Sequence, residues 1–172
     1  MAYRQLETLI LRHEDSAMNL QYALDHLAIL NLYAAYAHAV DANDGDAYAD
    51  CYTADGWTDI SSFRVARELA QTGQLSFADE KGVIRGRDNL RKAGTLVQLH
   101  HLIGNVLVRG IEGDRATCSA YFIVFAPDDG RVEHYGRYES ELVRCEDAGW
   151  RFASHVDVAL YERDRLPPLA SR

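Results

Sequence analysis

A chain of 172 residues, 48% of them apolar, is long enough for one domain with a sizeable core and too apolar for disorder. Its net charge of −8 and its scattered, run-free arginines and lysines exclude a binder of phosphate backbones, so no nucleic-acid partner is expected. Cys51, Cys118 and Cys145 are too widely spaced for a disulfide framework or a zinc ribbon, no stretch is long enough to cross a bilayer, and the charged N-terminus lacks a signal-peptide core. A cytoplasmic protein with no membrane partner is the expectation.

In chain order, residues 1–18 read as a short amphipathic arm with Leu6, Leu9 and Ile10 on one side. A long helix follows over 19–44, where Leu20, Leu24, Leu27, Ile29, Leu30, Tyr33, Tyr36, Ala37 and Val40 recur at helical spacing. "DANDGD" supplies the turn that ends it, and a short second helix fits 46–54. "GWTDISSFRV" (56–65) and "KGVIRG" (81–86) read as strands, with a short helix or loop between them. "RDNLRKAGTLVQL" (87–99) returns to helical spacing. From residue 100 the pattern has period two, and four strands are expected at about 100–109, 115–126, 131–144 and 150–161. The turns "GIEGDR", "APDDG" and "CEDAG" join them. The main domain is expected over 19–161, with a tail over 162–172.

Helices first and an antiparallel meander afterwards specify α+β: a curved sheet packed against N-terminal helices, forming a cone with an interior pocket. In "QLHHLIGNVLV" (98–108) His100 and His101 must point to opposite faces of one strand. His101 shares its face with Ile103, Asn105 and Leu107, and His100 shares its face with Leu102, Gly104, Val106 and Val108. Periodicity alone does not choose between them. Asp41, near a helix C-terminus, sits where the helix dipole already carries partial negative charge, so its carboxylate needs a cation or a donor.

The run of signals from Tyr36-x4-Asp41 through "DGDAYADCYTADGW", "IRGRDNLRK", "LHHLIGNVLV" and "EGDRATCSAYF" to "YGRYESELVRCEDAGWRFASH" resembles the nuclear-transport-factor-2-like (NTF2-like) superfamily. More narrowly it is similar to the SnoaL-like branch, which includes scytalone dehydratase, a bile-acid dehydratase and a lindane dehydrochlorinase. The resemblance covers residues 20–161. It implies that Asp41 pairs with His101 and supports it as a general base, with His100 on the other side of the strand. It also implies that Tyr36, matching a tyrosine of the bile-acid enzyme, assists at a substrate oxygen. The plainer alternatives are a structural histidine–carboxylate pair and a packing tyrosine. Val40 and Ile60 stand where scytalone dehydratase has tyrosines, and Phe125 or Ala126 where it has a second histidine.

Tyr52, Trp57, Phe63, Tyr121 and Phe125 are candidate lining for a flat apolar ligand. His134 and His155 lack the spacing of a metal site, so neither metal nor cofactor is expected. The resulting expectation is a cofactor-independent lyase of dehydratase type, or an isomerase, using a His–Asp dyad on a small apolar cyclic or polycyclic substrate. Two alternatives stay open: an aldol-type polyketide cyclisation, and a non-catalytic binding or assembly subunit like the β subunits of ring-hydroxylating dioxygenases. A homodimer or homotrimer burying Arg137 and Glu139 is also expected.

Overall fold

The computed structural model describes residues 16–96, 99–146 and 149–163, with side chains from Leu20 onward. The arm expected over 1–18 and the tail expected over 162–172 therefore lie almost wholly outside the described residues. Helix α1 (Ser16–Asp41) is followed by α2 (Gly45–Asp50), β1 (Tyr52–Asp59), α3 (Arg64–Gln71), β2 (Val83–Arg85) and α4 (Arg87–Ala93). Strands β3 (His100–Glu112), β4 (Arg115–Phe125), β5 (Val132–Cys145) and β6 (Gly149–Glu162) complete the described elements. All six strands form one open sheet in the order β2-β1-β6-β5-β4-β3. Among the described residues no helix is long and apolar enough to cross a membrane.

The four long strands pair as an antiparallel meander, while β1 joins β6 in parallel. The second helix is shorter than the sequence pattern suggests, because the chain enters β1 at Tyr52, where Tyr52 pairs with Phe152. Likewise α4 closes at Ala93, and Gly94 N–H bonds back to the Leu90 carbonyl at 2.9 Å.

Helix α1 is apolar on more than one side, and its sequence does not say which side packs. Ile29, Tyr33, Tyr36 and Val40 are buried on the concave face of the sheet, whereas Leu20, Leu24, Leu27 and Leu30 are exposed. The helix is fastened near its start by Asp25, which is buried and accepts hydrogen bonds from Arg144 Nη1 (2.5 Å), Arg144 Nη2 (2.7 Å) and Trp150 Nε1 (3.1 Å). Helices α2 and α4 cross at backbone contact. A Cβ on Gly45 would collide with the Arg91 carbonyl, and one on Gly94 would lie 2.7 Å from Tyr48 Cβ. These two glycines let α2 deliver Tyr48 to the interior.

Bulges decide which residues face that interior. Opposed residues on neighbouring strands point to the same face, so an extra residue in one strand reverses its phase from there on. In β6, Leu142 pairs with Phe152 but Glu141 pairs with Ser154, leaving Ala153 as the extra residue. Beyond it, His155 and Asp157 turn inward opposite Ser140 and Tyr138. A similar irregularity leaves Glu133 between Val132, opposite Phe125, and His134, opposite Val124.

Candidate functional site

The concave face of the sheet, α1, α2 and the segment carrying α3 enclose a cavity of about 160 Å³ with mainly apolar walls, among them Val40, Ile60, Phe63 and Leu99. Into it project Tyr36, Tyr48, His101, Glu133, His134 and Asp157.

The register of β3 on β4 settles the pair of adjacent histidines. His101 stands opposite Val124, which is fully buried, and His100 opposite Phe125 on the outer face. The His101 side chain is 8% exposed and that of His100 is 64% exposed. Asp41, the last residue of α1, reaches β3 at this point. Its carboxylate accepts the His101 backbone N–H (2.9 Å to Oδ2, 3.1 Å to Oδ1), and His101 Nδ1 lies 2.6 Å from Oδ1. These donors compensate a carboxylate at the negative end of a helix dipole. With Asp41 ionised, Nδ1 carries the ring proton and Nε2 keeps its lone pair, the tautomer suited to accept a proton. His100 Nδ1 lies 3.9 Å from Asp41 Oδ2 at the surface.

Tyr36 packs with its ring 6.4 Å from that of His101, 4.8 Å from His155 and 5.8 Å from Tyr138. It belongs to a buried group of tyrosines with Tyr48, Tyr52 and Tyr138, and the Tyr48 and Tyr52 hydroxyls lie 3.1 Å apart. Burial pushes all four hydroxyls above the ordinary phenol value, so they remain protonated donors.

The proposed lining divides. Phe63 borders the cavity. Tyr52 is buried one layer behind it, touching Tyr48. Trp57, Tyr121 and Phe125 require correction, because their strand phase turns them away from the cavity. Trp57 pairs with outward Ser154 and stacks under Arg85, whose guanidinium carbon is 4.6 Å from the ring. Tyr121 is 50% exposed on the convex face, and Phe125 lies on that face opposite His100. The inward positions of β4 belong to Phe122 and Val124.

Three polar residues take interior places that the sequence pattern does not assign: His134 and His155, considered there only as metal ligands, and Asp157. His134 lines the cavity with its ring 4.7 Å from Phe63, and burial, together with nearby His101, pushes it down to about 3. Burial does the same to His155, also about 3, which sits below the cavity with Nδ1 2.8 Å from Ser140 Oγ. Asp157 lines the cavity, and burial followed by the charge of Asp59 holds its carboxyl well above the ordinary range. Simple alternation from Trp150 and Phe152 would put both β6 residues outside; the one available signal was an aspartate within an otherwise apolar strand, "HVDVAL". Among the described residues no three His, Cys, Asp or Glu side chains converge in the manner of a metal site.

At the rim, Glu133 pairs with Arg163 Nη1 at 3.0 Å, and Arg163 Nη2 reaches Asp129 at 3.0 Å. The Glu162 carboxylate accepts the backbone N–H groups of Arg64 (2.7 Å) and Val65 (2.9 Å), tying the first turn of α3 to the end of β6.

No curated protein matches the chain significantly. Among solved structures, a protein from Novosphingobium aromaticivorans named a "putative aromatic ring hydroxylase" is 30% identical, with 86% of this chain and 93% of that one covered and a TM-score of 0.63. An NTF2-like protein with a cystatin-like fold from the same organism is 20% identical over 88% of this chain and 94% of that one, with a TM-score of 0.68. A hexachlorocyclohexane dehydrochlorinase, LinA-type3, from Novosphingobium barchaimii is 15% identical over 87% and 99%, with a TM-score of 0.63. The likeness to the NTF2-like protein establishes the α+β, NTF2-like fold. The model of the SnoaL-like domain matches residues 21–156, most of the chain, and the protein belongs to that family.

Proposed function

We propose that this protein is a cofactor-independent lyase of dehydratase type, or an isomerase, whose general base is His101 supported by Asp41. The observation that carries the reading is the 2.6 Å contact between His101 Nδ1 and the Asp41 carboxylate at the wall of an aromatic-lined cavity. His101 Nε2 takes a proton from a substrate carbon. In an elimination, the C–H electron pair becomes a C=C bond while the leaving group departs with its own pair; in an isomerisation, the imidazolium returns the proton to another carbon. Asp41 stabilises the imidazolium and holds the tautomer. Tyr36 donates its hydroxyl proton in a hydrogen bond to a substrate oxygen. The cavity's size and apolar walls suit a small, neutral cyclic substrate.

The test is turnover of a panel of cyclic alcohols, enones and halides. His101→Ala should abolish it with the fold intact, and Asp41→Asn should lower it by about 10²–10⁴, the range of general acid–base effects. Near-normal turnover in both variants would refute the dyad.

A non-catalytic assembly subunit is the second reading, favoured by the exposed leucines of α1. It requires a stable complex with an oxygenase-type partner and no turnover by the isolated chain.

A further inference from the structure

No described residue covers the back of α1. Ile29, Tyr33 and Tyr36 press one side of this helix into the sheet, while Leu20, Leu24 and Leu27 stand 63%, 49% and 58% exposed. At about 3.6 residues per turn these three leucines fall on one line, half a turn away from the buried side. Asn31, one turn further on, is exposed and polar and ends the line. A single leucine in water is ordinary, but three in a row along a helix form a surface suited to a partner.

The residues just before α1 carry a matching pattern. Tyr3, Leu6 and Ile10 recur at helical spacing, with Gln5, Thr8 and Arg12 on the opposite side. Their separations, three and then four, mirror the four and then three that separate Leu20, Leu24 and Leu27. A helix that reverses direction meets its neighbour's residues in reverse order. Ile10 then falls opposite Leu20, Leu6 opposite Leu24, and Tyr3 opposite Leu27. All three pairs are centred on Asp15, within the polar segment "HEDS" (13–16). Connections of about two to five residues are what join antiparallel helices. Asp15 is also a residue type favoured just ahead of a first helical turn, and α1 starts at Ser16.

We propose that residues 1–12 form a helix that folds back antiparallel on α1 of the same chain and covers Leu20, Leu24 and Leu27 with Tyr3, Leu6 and Ile10.

Tethering favours this occupant over a separate molecule. A segment joined by so short a turn is held against α1 at an effective concentration on the order of millimolar, with no encounter to wait for. A helix of about twelve residues is marginal in water by itself, so this one owes its order to the leucines it covers. The match to the SnoaL-like domain starts at residue 21, so the arm lies outside the matched domain. The proposal is independent of the role of His101. It bears on assembly, because an oxygenase-type partner cannot take these leucines while the arm is docked. An assembly role through this face requires the arm to leave first.

Hydrogen exchange followed by mass spectrometry on the full chain tests the docking. Amides of residues 1–12 should exchange at least tenfold more slowly than in a synthetic peptide of the same sequence. Leu24→Lys should return them to the free rate while the strands keep theirs. Leu6→Lys, which alters no residue of the domain, should do the same, so loss of docking and loss of fold are read separately. Oxidation then locates the contact. A Cys145→Ser chain carrying both Leu6→Cys and Leu24→Cys should close a disulfide within one chain, since opposed positions bring the Cβ atoms towards the roughly 3.5–4.5 Å that the bond requires. Cys51 and Cys118 are buried and do not compete. Thr8→Cys with Leu24→Cys, on the wrong side of the arm, should stay reduced. A disulfide between two chains in a mixture of the single variants would assign the leucines to a second copy. Free-rate exchange of residues 1–12 in the intact protein, or equal protection there and in Leu24→Lys, would leave the leucines to another partner. Each of these results overturns the proposal.

Discussion

Removing the Asp25 carboxylate should destabilise the protein without harming the site at the other end of the same helix. In Asp25→Ala, Arg144 loses a fork of two charged hydrogen bonds at 2.5 and 2.7 Å, and the Trp150 indole N–H loses its acceptor at 3.1 Å. Removing one partner of a fully buried ion pair costs about 3–5 kcal/mol. The Arg144 side chain is 29% exposed and regains part of its hydration, while the Trp150 residue is only 4% exposed and does not. The net loss should be about 2–4 kcal/mol, or roughly 5–15 °C in Tm for a chain of this size. The pair also carries a pH signature. Arg144 holds the folded Asp25 carboxyl below its ordinary value, so its contribution is complete above the unfolded pKa and disappears as pH falls through the lower folded one. Urea melts at pH 7 and in acid, for the intact protein, Asp25→Asn and Asp25→Ala, should therefore converge as the carboxylate protonates. At 1.5 Å per residue, Asp25 lies about 24 Å along α1 from Asp41, so activity per folded molecule should be unchanged. A midpoint for Asp25→Ala within error of the intact protein would show that this pair does not anchor α1.

Asp157→Asn should stabilise the fold at neutral pH. The folded carboxyl keeps a proton that the unfolded one, with an ordinary value of 3.8, has released, so stability falls as pH rises above that value, and the asparagine variant removes the slope; equal slopes in the two proteins would count against it. His134 and His155 work in the acid range. Both are held down to about 3 when folded against an ordinary 6.5, so the unfolded state binds more protons between these limits and thermal stability should drop as pH is lowered through them, less steeply in His134→Gln. Gly136→Ala should be strongly destabilising, because the added Cβ meets the Val158 carbonyl and lies 2.8 Å from the Phe122 ring; circular-dichroism melts will show it. Light scattering should give a dimer or trimer, with Arg137 and Glu139 at or near the contact; Arg137 and Arg109 both pair with Glu139 on the outer sheet face, at 2.5 and 2.7 Å. A species of 19.3 kDa alone would refute the assembly.

The sequence alone determined the class of fold. Its order of a long helix, short elements and four period-two strands separated by Gly- and Asp-bearing turns admits little besides helices on an antiparallel meander, because those patterns are local properties of the chain. Gly113, Gly130 and Gly149 take the positive φ that such turns need. Resemblance to a family pointed at Asp41, His101 and Tyr36, but spacing could not say that the ring of His101, rather than His100, meets the carboxylate. That depended on the pairing of His101 with Val124, a contact between residues far apart in sequence. The same limit hid the apolar choice on α1, where Leu20 and Leu24 stay outside while Asp25 is buried by partners on β5 and β6. It also misdirected Trp57, Tyr121 and Phe125. Most of all it concealed Asp157, whose inward phase follows from one extra residue at Ala153. A bulge is a mismatch between two strands, and a single strand read by itself contains no record of it.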